Sequence, residues 1–258
     1  MRRIITLTTD FGTKDGYIGA VKGVILSINP QAQVMDITHQ IPAQNIRSAA
    51  LCILNYYSFF PEGTIHLAVV DPGVGGPRKP ILIQSERYFF MGPDNGIFSL
   101  ALQKEKFSKA IHLKNPKYFL GKISPTFHGR DIFAPVAAYL SLGVKPEEFG
   151  PRLSKLEKLK LPAVKEYPQK LVGEIIHIDN FGNLVTNVRR AELGDRQISR
   201  IKLKTKSIQN LSETFSDVKP GEGVAYVGSS GYVELGINRG NAAIKLKAKI
   251  ADKVEFFL

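Results

Sequence analysis

Short apolar runs alternate with helical runs through the first 150 residues, and this alternation is the feature that most constrains the fold. Residues 4–8 form a β-rich run, after which apolar side chains recur at helical spacing from Tyr17 to Ile28, and Asn29-Pro30 ends the helix. The same order continues with a strand at 34–38, a helix at 46–60 and strands at 65–70, 80–84 and 88–91. Apolar strands separated by helices are typical of a buried, largely parallel sheet. The sequence therefore predicts an α/β domain over residues 1–150.

The pattern changes after residue 150. Pro151, Pro162 and Pro168 punctuate a lysine-rich stretch, which predicts a linker over residues 151–168. From 169 to 258 the chain is β-rich, with predicted strands at 172–178, 184–188, 198–203, 223–227, 232–237 and 243–257. Short strands separated by turn residues predict an all-β barrel as the second domain.

The chain is basic, with a net charge of +12 from 35 Lys and Arg against 23 Asp and Glu. A basic surface attracts nucleic acid or other anions. Two lysine trios alternate along the chain, Lys202, Lys204 and Lys206, and Lys245, Lys247 and Lys249. Alternation predicts that each trio lies on one solvated face of a strand. Aromatic and basic residues do not interleave as in single-strand binders, so nucleic acid is disfavoured as a partner.

The expected location is the cytoplasm. No run approaches the ~20 apolar residues of a membrane span, so no membrane association is expected. The basic start Met1-Arg2-Arg3 precedes an apolar run, residues 4–7, that is too short for a signal peptide. The single cysteine, Cys52, lies among apolar neighbours and has no cysteine to pair with inside the chain.

Several familiar site motifs are absent from the sequence. Gly73-Val74-Gly75-Gly76 lacks the spacing of a dinucleotide loop, and neither a Walker lysine loop nor a G-x-S-x-G elbow occurs. The five histidines and one cysteine show no zinc-like spacing. The sequence therefore predicts no metal and no cofactor.

Polar residues instead follow the apolar strands directly. Asp10 comes after the first strand, Asp71 after the third, and the segment 93–96 after a later one. Ligands of open parallel sheets bind outside the carboxyl ends of the strands. Asp, Asn, Gly and Pro also dominate turns for local reasons. From the residues alone, the turn interpretation is the better one for 93–96, and the two interpretations are even for Asp10 and Asp71.

Three further candidates also have ordinary interpretations. Arg78, seven residues beyond Asp71, taken alone is a surface arginine. His128 precedes Gly129-Arg130-Asp131 at a predicted helix start and fits a capping role. Asp179-Asn180-Phe181-Gly182-Asn183 lies between two apolar strands and fits a hairpin loop.

Six motifs in order carry a family resemblance: 8–12 (TTDFG), 70–75 (VDPGVG), 93–96 (PDNG), 126–131 (TFHGRD), 179–183 (DNFGN) and 228–234 (GSSGYVE). With them the chain resembles the S-adenosylmethionine (SAM) hydroxide adenosyltransferases, hydrolytic relatives of the fluorinase and chlorinase enzymes. The resemblance spans nearly the whole chain. It implies an N-terminal α/β domain, a C-terminal β-barrel, and a homotrimer whose sites lie between neighbouring subunits.

The resemblance also implies roles for individual residues. Asp10 would hold the ribose hydroxyls, and Asp71, Arg78 and His128 match the Asp-Arg-His set of the hydrolases. The expected substrate-site residues of the second domain are Asp179, Phe181, Asn183, Ser229, Tyr232, Glu234, Asn238 and Arg239. SAM would be the substrate rather than a cofactor.

The implied reaction is attack of water on C5′ of SAM, giving adenosine and L-methionine. A first alternative is a SAM-dependent halogenase. The charged set Asp71, Arg78 and His128 disfavours it, because a halogenase needs a small pocket that strips water from the halide and an ionisable set does not suit such a pocket. A second alternative, from another class, is a non-catalytic adenosine- or SAM-binding module.

Overall fold

The structure is a computed structural model that describes residues 4–258. The basic start Met1-Arg2-Arg3 lies outside the described residues. The chain divides into two compact units, one reaching Leu159 and the other comprising Lys160–Leu258. The stretch predicted as a linker, 151–168, spans this division, and its first part is held on the first unit. There the Leu153 N–H donates to the Ala110 carbonyl (2.8 Å) and the Leu159 N–H to Ser99 Oγ (2.8 Å).

The first unit follows the predicted alternation. Its strands are β1 (Ile4–Thr9), β2 (Gln33–Thr38), β3 (Ile65–Val69), β4 (Pro80–Ser85), β5 (Phe89–Pro93) and β6 (Phe107–His112). Its α-helices are α1 (Tyr17–Ile28), α2 (Ile46–Tyr56) and α3 (Ala134–Ser141), with a π-helical turn, Gly129–Phe133, leading into α3.

The sheet of this unit is mixed, with strand order β2-β1-β3-β5-β4-β6. The pairings among β2, β1, β3 and β5 are parallel, whereas β4 runs antiparallel to both β5 and β6. The prediction of a largely parallel sheet thus holds for four of the six strands, and β4 and β6 depart from it. Three residues separate β4 from β5, which suffices for a hairpin but not for the crossover that a parallel pair needs.

Both faces of the central strands are buried, as the apolar runs predicted. Ile5 and Leu7 of β1 pack in a core cluster with residues of α1 and α3. On the opposite face, Thr8 Oγ1 lies 2.8 Å from the Tyr56 hydroxyl of α2. Successive side chains of a strand point to opposite faces, so helices cover the central strands on both sides.

The second unit is an antiparallel sheet with a short helix at each of two connections. Its elements are β7 (Lys165–Tyr167), β8 (Lys170–Ile178), β9 (Leu184–Arg189), α4 (Arg190–Leu193), β10 (Arg200–Leu203), β11 (Lys206–Gln209), β12 (Gly223–Val227), β13 (Tyr232–Ile237), α5 (Ala242–Lys245) and β14 (Lys253–Phe257). The strand order is β11-β10-β14-β8-β9-β13-β12, with β7 paired to β8. The end strands β11 and β12 lie beside each other, so the sheet is barrel-like and nearly closed around its own core.

The prediction of one strand over 243–257 is wrong for its first half. Asn241 accepts the Ile244 N–H (2.9 Å) and caps α5, so the alternating lysines there occupy a helical turn and a loop. The first lysine trio is also divided, because Lys204 has a φ of 55° at the turn between β10 and β11. None of the helices in residues 4–258 has the length and apolarity that a membrane crossing needs.

Candidate active site

Two of the predicted acidic residues lie at the same edge of the first unit's sheet, after neighbouring strands. Asp10 follows β1 directly, and Asp71 lies two residues after β3. Because β1 and β3 are parallel neighbours, their carboxyl ends lie at the same edge. The 93–96 segment belongs to the same edge, where Asn95 Nδ2 donates to the Val70 carbonyl (2.9 Å) just before Asp71. The turn interpretation of 93–96 is thus compatible with a second role, in which Asn95 fixes the strand end that carries Asp71.

Asp71, Arg78 and His128 form one hydrogen-bonded cluster. Arg78 donates from Nε to Asp71 Oδ1 (3.0 Å) and from Nη2 to Asp71 Oδ2 (2.5 Å). Nη2 also lies 2.8 Å from His128 Nδ1. The side chains of Arg78 and Asp71 are 9% and 5% exposed, so the ion pair is shielded from water. A shielded bidentate pair fixes the guanidinium in position far better than an exposed pair.

The contact with Arg78 determines the tautomer of His128. A guanidinium nitrogen always donates, so Nδ1 of His128 is the acceptor and its ring proton, when neutral, sits on Nε2. Burial and the charge of Arg78 lower the pKa of His128, while the charges of Asp71 and Asp131 oppose them. The imidazole is therefore neutral at neutral pH, with an N–H on the side away from Arg78.

The loops that carry these residues are packed on each other. Gly75 has a φ of 75°, and a Cβ there would lie 2.4 Å from the Pro125 carbonyl oxygen, so a glycine is required where the two loops meet. The Phe127 ring, beside His128, contacts Phe11 (5.8 Å between centroids) and Tyr17 (5.3 Å) edge to face. These contacts hold the segment after β1 against the segment that carries His128.

Asp10 lies at the same edge but is held by a different contact. Its Oδ2 accepts the backbone N–H of Gln44 (2.8 Å), which lies in the segment between β2 and α2. One carboxylate oxygen is thereby fixed, and Asp10 remains partly exposed. The structure thus brings three of the four predicted residues of this unit into one cluster and places Asp10 at the end of the adjacent strand.

In the second unit, Asp179 closes the hairpin between β8 and β9. Its Oδ1 accepts the N–H groups of Phe181 (2.9 Å) and Asn183 (2.7 Å), and its Oδ2 accepts Asn183 Nδ2 (2.9 Å). The hairpin interpretation is therefore right for Asp179. The same turn leaves the Phe181 ring 74% exposed, which is unusual for an apolar side chain of this size.

An open pocket of about 430 Å³ lies beside this hairpin. It is lined by Phe181, Asn183, Phe215, Ile237, Asn238, Arg239 and Gly240. Aromatic and aliphatic walls with amide and guanidinium groups suit a flat, polar-edged ligand. Four of the predicted residues, Phe181, Asn183, Asn238 and Arg239, meet here. Phe215 and Ile237 were missed because nothing in their local sequence distinguishes them from core residues.

The other three predicted residues of this unit lie elsewhere on it. Ser229 is in the exposed turn between β12 and β13. The buried Tyr232 hydroxyl accepts a hydrogen bond from Arg189 Nη2 (2.8 Å). Glu234 accepts from the Tyr226 hydroxyl (2.9 Å). Burial raises the pKa of Glu234, the hydrogen bond from Tyr226 lowers it, and the charge of Asp179 adds to the rise, so the net shift is upward.

Two features, one in each unit, define the class of protein to which this chain belongs. An α/β unit carries a carboxylate–guanidinium–imidazole cluster at its strand ends, and a barrel-like unit carries a pocket with aromatic and amide walls. Within residues 4–258, no group of three His, Cys, Asp or Glu side chains is placed to hold a metal ion.

Family models match both units. Residues 5–150 match the SAM hydroxide adenosyltransferase N-terminal domain, and residues 173–255 match the SAM hydroxide adenosyltransferase C-terminal domain. The chain belongs to the SAM hydroxide adenosyltransferase family, as its motifs predicted.

Relatives match over nearly the full length. The chain is 38% identical over 261 residues, 96% of each chain, to the (R)-S-adenosyl-L-methionine hydrolase of Thermus thermophilus. It is 27% identical to a fluorinase of Actinoplanes, over 91% of each chain. Among solved structures, an uncharacterized conserved protein from Thermotoga maritima aligns with a TM-score of 0.90 and 35% identity, covering 98% of this chain and 100% of that one.

Proposed function

We propose that this protein hydrolyses SAM to adenosine and L-methionine by attack of water or hydroxide on C5′. The observation that carries this proposal is the hydrogen-bonded Asp71–Arg78–His128 cluster in a chain whose relatives named SAM hydrolases match nearly end to end. SAM is the substrate, and the proposed reaction uses no cofactor.

The substrate needs little help with its leaving group. The C5′–S bond breaks with its electron pair going to sulfur, so a positively charged sulfonium leaves as a neutral thioether. A C5′–O bond forms, and one proton is released to the solvent. The protein must therefore supply an aligned nucleophile in a pocket with little competing water. A single displacement predicts inversion at C5′.

The cluster suits activation of that nucleophile. Asp71 orients Arg78, whose permanent charge stabilises a hydroxide-like oxygen. Neutral His128 offers its Nε2–H as a second donor to the same oxygen. For His128 to accept the water's proton at Nδ1, the hydrogen bond from Arg78 must first open. The geometry therefore favours charge stabilisation by both residues and makes proton uptake by His128 a second step.

The substrate contacts divide between the two units. We propose that Asp10 accepts hydrogen bonds from the ribose hydroxyls and that the 430 Å³ pocket takes part of the ligand. Asp179, Ser229, Tyr232 and Glu234 are proposed to complete the binding surface. We further propose a cytoplasmic homotrimer in which neighbouring subunits complete each site, as the resemblance implies.

The decisive experiment is incubation of the purified protein with SAM in ¹⁸O-labelled water, followed by chromatography and mass spectrometry. Adenosine carrying ¹⁸O at C5′, together with methionine, is the expected result. The fluorinase relatives make halogenation the second candidate. Formation of a 5′-halogenated nucleoside on addition of chloride or fluoride would favour that candidate, and binding without turnover would favour a binding module. Light scattering of the active protein tests the trimer.

A further inference from the structure

A buried histidine lies beneath the loop that carries Asp10. His39 Nδ1 lies 2.9 Å from Thr9 Oγ1, and His39 Nε2 lies 3.0 Å from Asp36 Oδ1. Lys22 of α1 in turn pairs with Asp36 Oδ2 at 2.5 Å. Thr9 and His39 are 2% and 6% exposed. The network therefore runs from the helix surface to the residue immediately before Asp10.

When the His39 ring is neutral, the hydrogen bonds of the network run in one direction. The Phe11 N–H donates to Thr9 Oγ1 (3.2 Å), so the Thr9 hydroxyl is free to donate to His39 Nδ1. The ring proton of neutral His39 then sits on Nε2, facing the Asp36 carboxylate. That N–H is not aligned on Oδ1 well enough for a hydrogen bond, so this contact is chiefly electrostatic. Burial raises the pKa of Asp36, but the hydrogen bond and charge of Lys22, together with the contact to His39, outweigh burial and lower the pKa, which keeps the carboxylate ionised.

Backbone hydrogen bonds join the same two segments. The Gly12 N–H donates to the His39 carbonyl (2.8 Å), and the Ile41 N–H donates to the Thr9 carbonyl (3.3 Å). The Gln44 N–H then reaches Asp10 Oδ2 (2.8 Å). His39 thus contacts the Asp10 loop through both its side chain and its main chain, before and after Asp10. The Asp36–His39–Thr9 arrangement resembles an Asp-His-Thr nucleophile set. Because Thr9 is only 2% exposed, its hydroxyl has no access to substrate.

We infer that His39 is a positioning residue that fixes the Asp10 carboxylate for recognition of the ribose 2′,3′-diol. The inference rests on the proposed function. A carboxylate that accepts hydrogen bonds from two neighbouring hydroxyls must keep a narrow orientation. In catalysis, a misplacement of ~1 Å costs up to ~10²-fold in rate. The Thr9–His39–Asp36 network supplies that constraint from behind the strand end, where no ligand contact is needed.

The test compares binding of adenosine and 2′,3′-dideoxyadenosine by calorimetry. We expect the wild-type protein to prefer adenosine by about 100-fold, the order expected for two hydrogen bonds to a carboxylate. His39→Leu should reduce this preference to about 10-fold or less, and Thr9→Val should reduce it in the same direction. His39→Asn should recover part of it, because the amide oxygen stands where Nδ1 does and accepts from Thr9.

The chain offers a matched control on the same strand. Thr6 Oγ1 lies 3.0 Å from Nδ1 of His66, which is fully buried, so this pair repeats the Thr9–His39 contact away from Asp10. His66→Leu should lower stability as a buried substitution does, yet leave the adenosine preference at its wild-type value. A general loss of packing would affect both variants alike, whereas the inferred role affects the preference only in His39→Leu.

A double-mutant cycle with Asp10→Ala distinguishes the possible failures. If Asp10→Ala removes the preference and His39→Leu adds nothing further, both residues act through one contact. If Asp10→Ala removes it while His39→Leu and Thr9→Val both retain it, the positioning role is wrong and the ribose role stands. If the wild-type protein has no preference, or Asp10→Ala keeps it, the ribose assignment is wrong and this inference falls with it.

Discussion

Replacing Arg78 tests how the cluster activates water. Arg78 makes three hydrogen bonds, two to Asp71 and one to His128. Arg78→Ala removes a charge-stabilising donor from a shielded site, which typically costs ~10²–10³ in rate. Arg78→Lys keeps the charge but not the planar fork. Loss of one hydrogen bond involving a charged group costs ~1.5 kcal/mol or more, so the turnover rate of Arg78→Lys should fall by about 10-fold or more.

The same substitution carries a stability cost that must be separated from the rate. Arg78→Ala leaves the Asp71 carboxylate, 5% exposed, without its counter-ion, and breaking a buried pair typically costs ~3–5 kcal/mol. Arg87 offers a matched control, because it pairs with the buried Glu105 in the same unit, away from the cluster. Arg87→Ala should lower the unfolding temperature without changing turnover.

The assay is single-turnover kinetics on SAM beside calorimetric binding of adenosine. We expect turnover to fall in the order wild type, Arg78→Lys, Arg78→Ala, with adenosine affinity largely kept. His128→Ala should also reduce turnover strongly, and the double variant should lose less than the product of the two single losses, because both residues act on one water. Near-normal turnover in both alanine variants would refute the reasoning and assign the cluster a structural role.

Further predictions concern pH, the ribose contact and metals. Because the pKa of His128 is lowered and its neutral form is required, kcat should be flat near neutrality and fall only on the acid side of the ordinary histidine pKa. This fall in kcat at acid pH should be absent from His128→Asn. A fall centred above pH ~6.5 would contradict the assignment. Asp10→Ala should raise KM more than it lowers kcat, since ribose is bound in both the ground and transition states; an unchanged KM with collapsed kcat would exclude the ribose role. Burial lowers the pKa of His66 to about 3, so below pH ~6.5 the unfolded chain binds a proton that the folded chain refuses, and the free energy of unfolding should fall by ~1.4 kcal/mol per pH unit. Urea titrations at two acidic pH values should show that extra loss in the wild type and not in His66→Leu. Activity should survive extensive treatment with a chelator, and a loss restored by a divalent ion would show that a metal takes part.

Local sequence patterns predicted the helices and strands whose buried residues repeat regularly along the chain. The apolar runs before Asp10 and Asp71 predicted strands, and helical spacing from Tyr17 to Ile28 predicted α1 with its observed bounds. Periodicity works there because a buried face repeats every two residues in a strand and about every 3.6 in a helix. It failed at residues 107–112, where exposed residues at the start of edge strand β6 gave no such repeat, and at 243–252, where the Asn241 cap overrode the alternation of lysines.

The sequence by itself determined which residues follow the strands and which family they resemble. Only the tertiary structure decided which of them meet. Arg78 bonds to His128 across 50 residues of chain, and His39 bonds to Thr9 across 30. Such pairings depend on which strands are neighbours, on loops packing as Gly75 does on Pro125, and on side-chain directions at the strand ends. Local periodicity contains none of these, because the residues that form a site share a place in the folded chain and not a spacing along it.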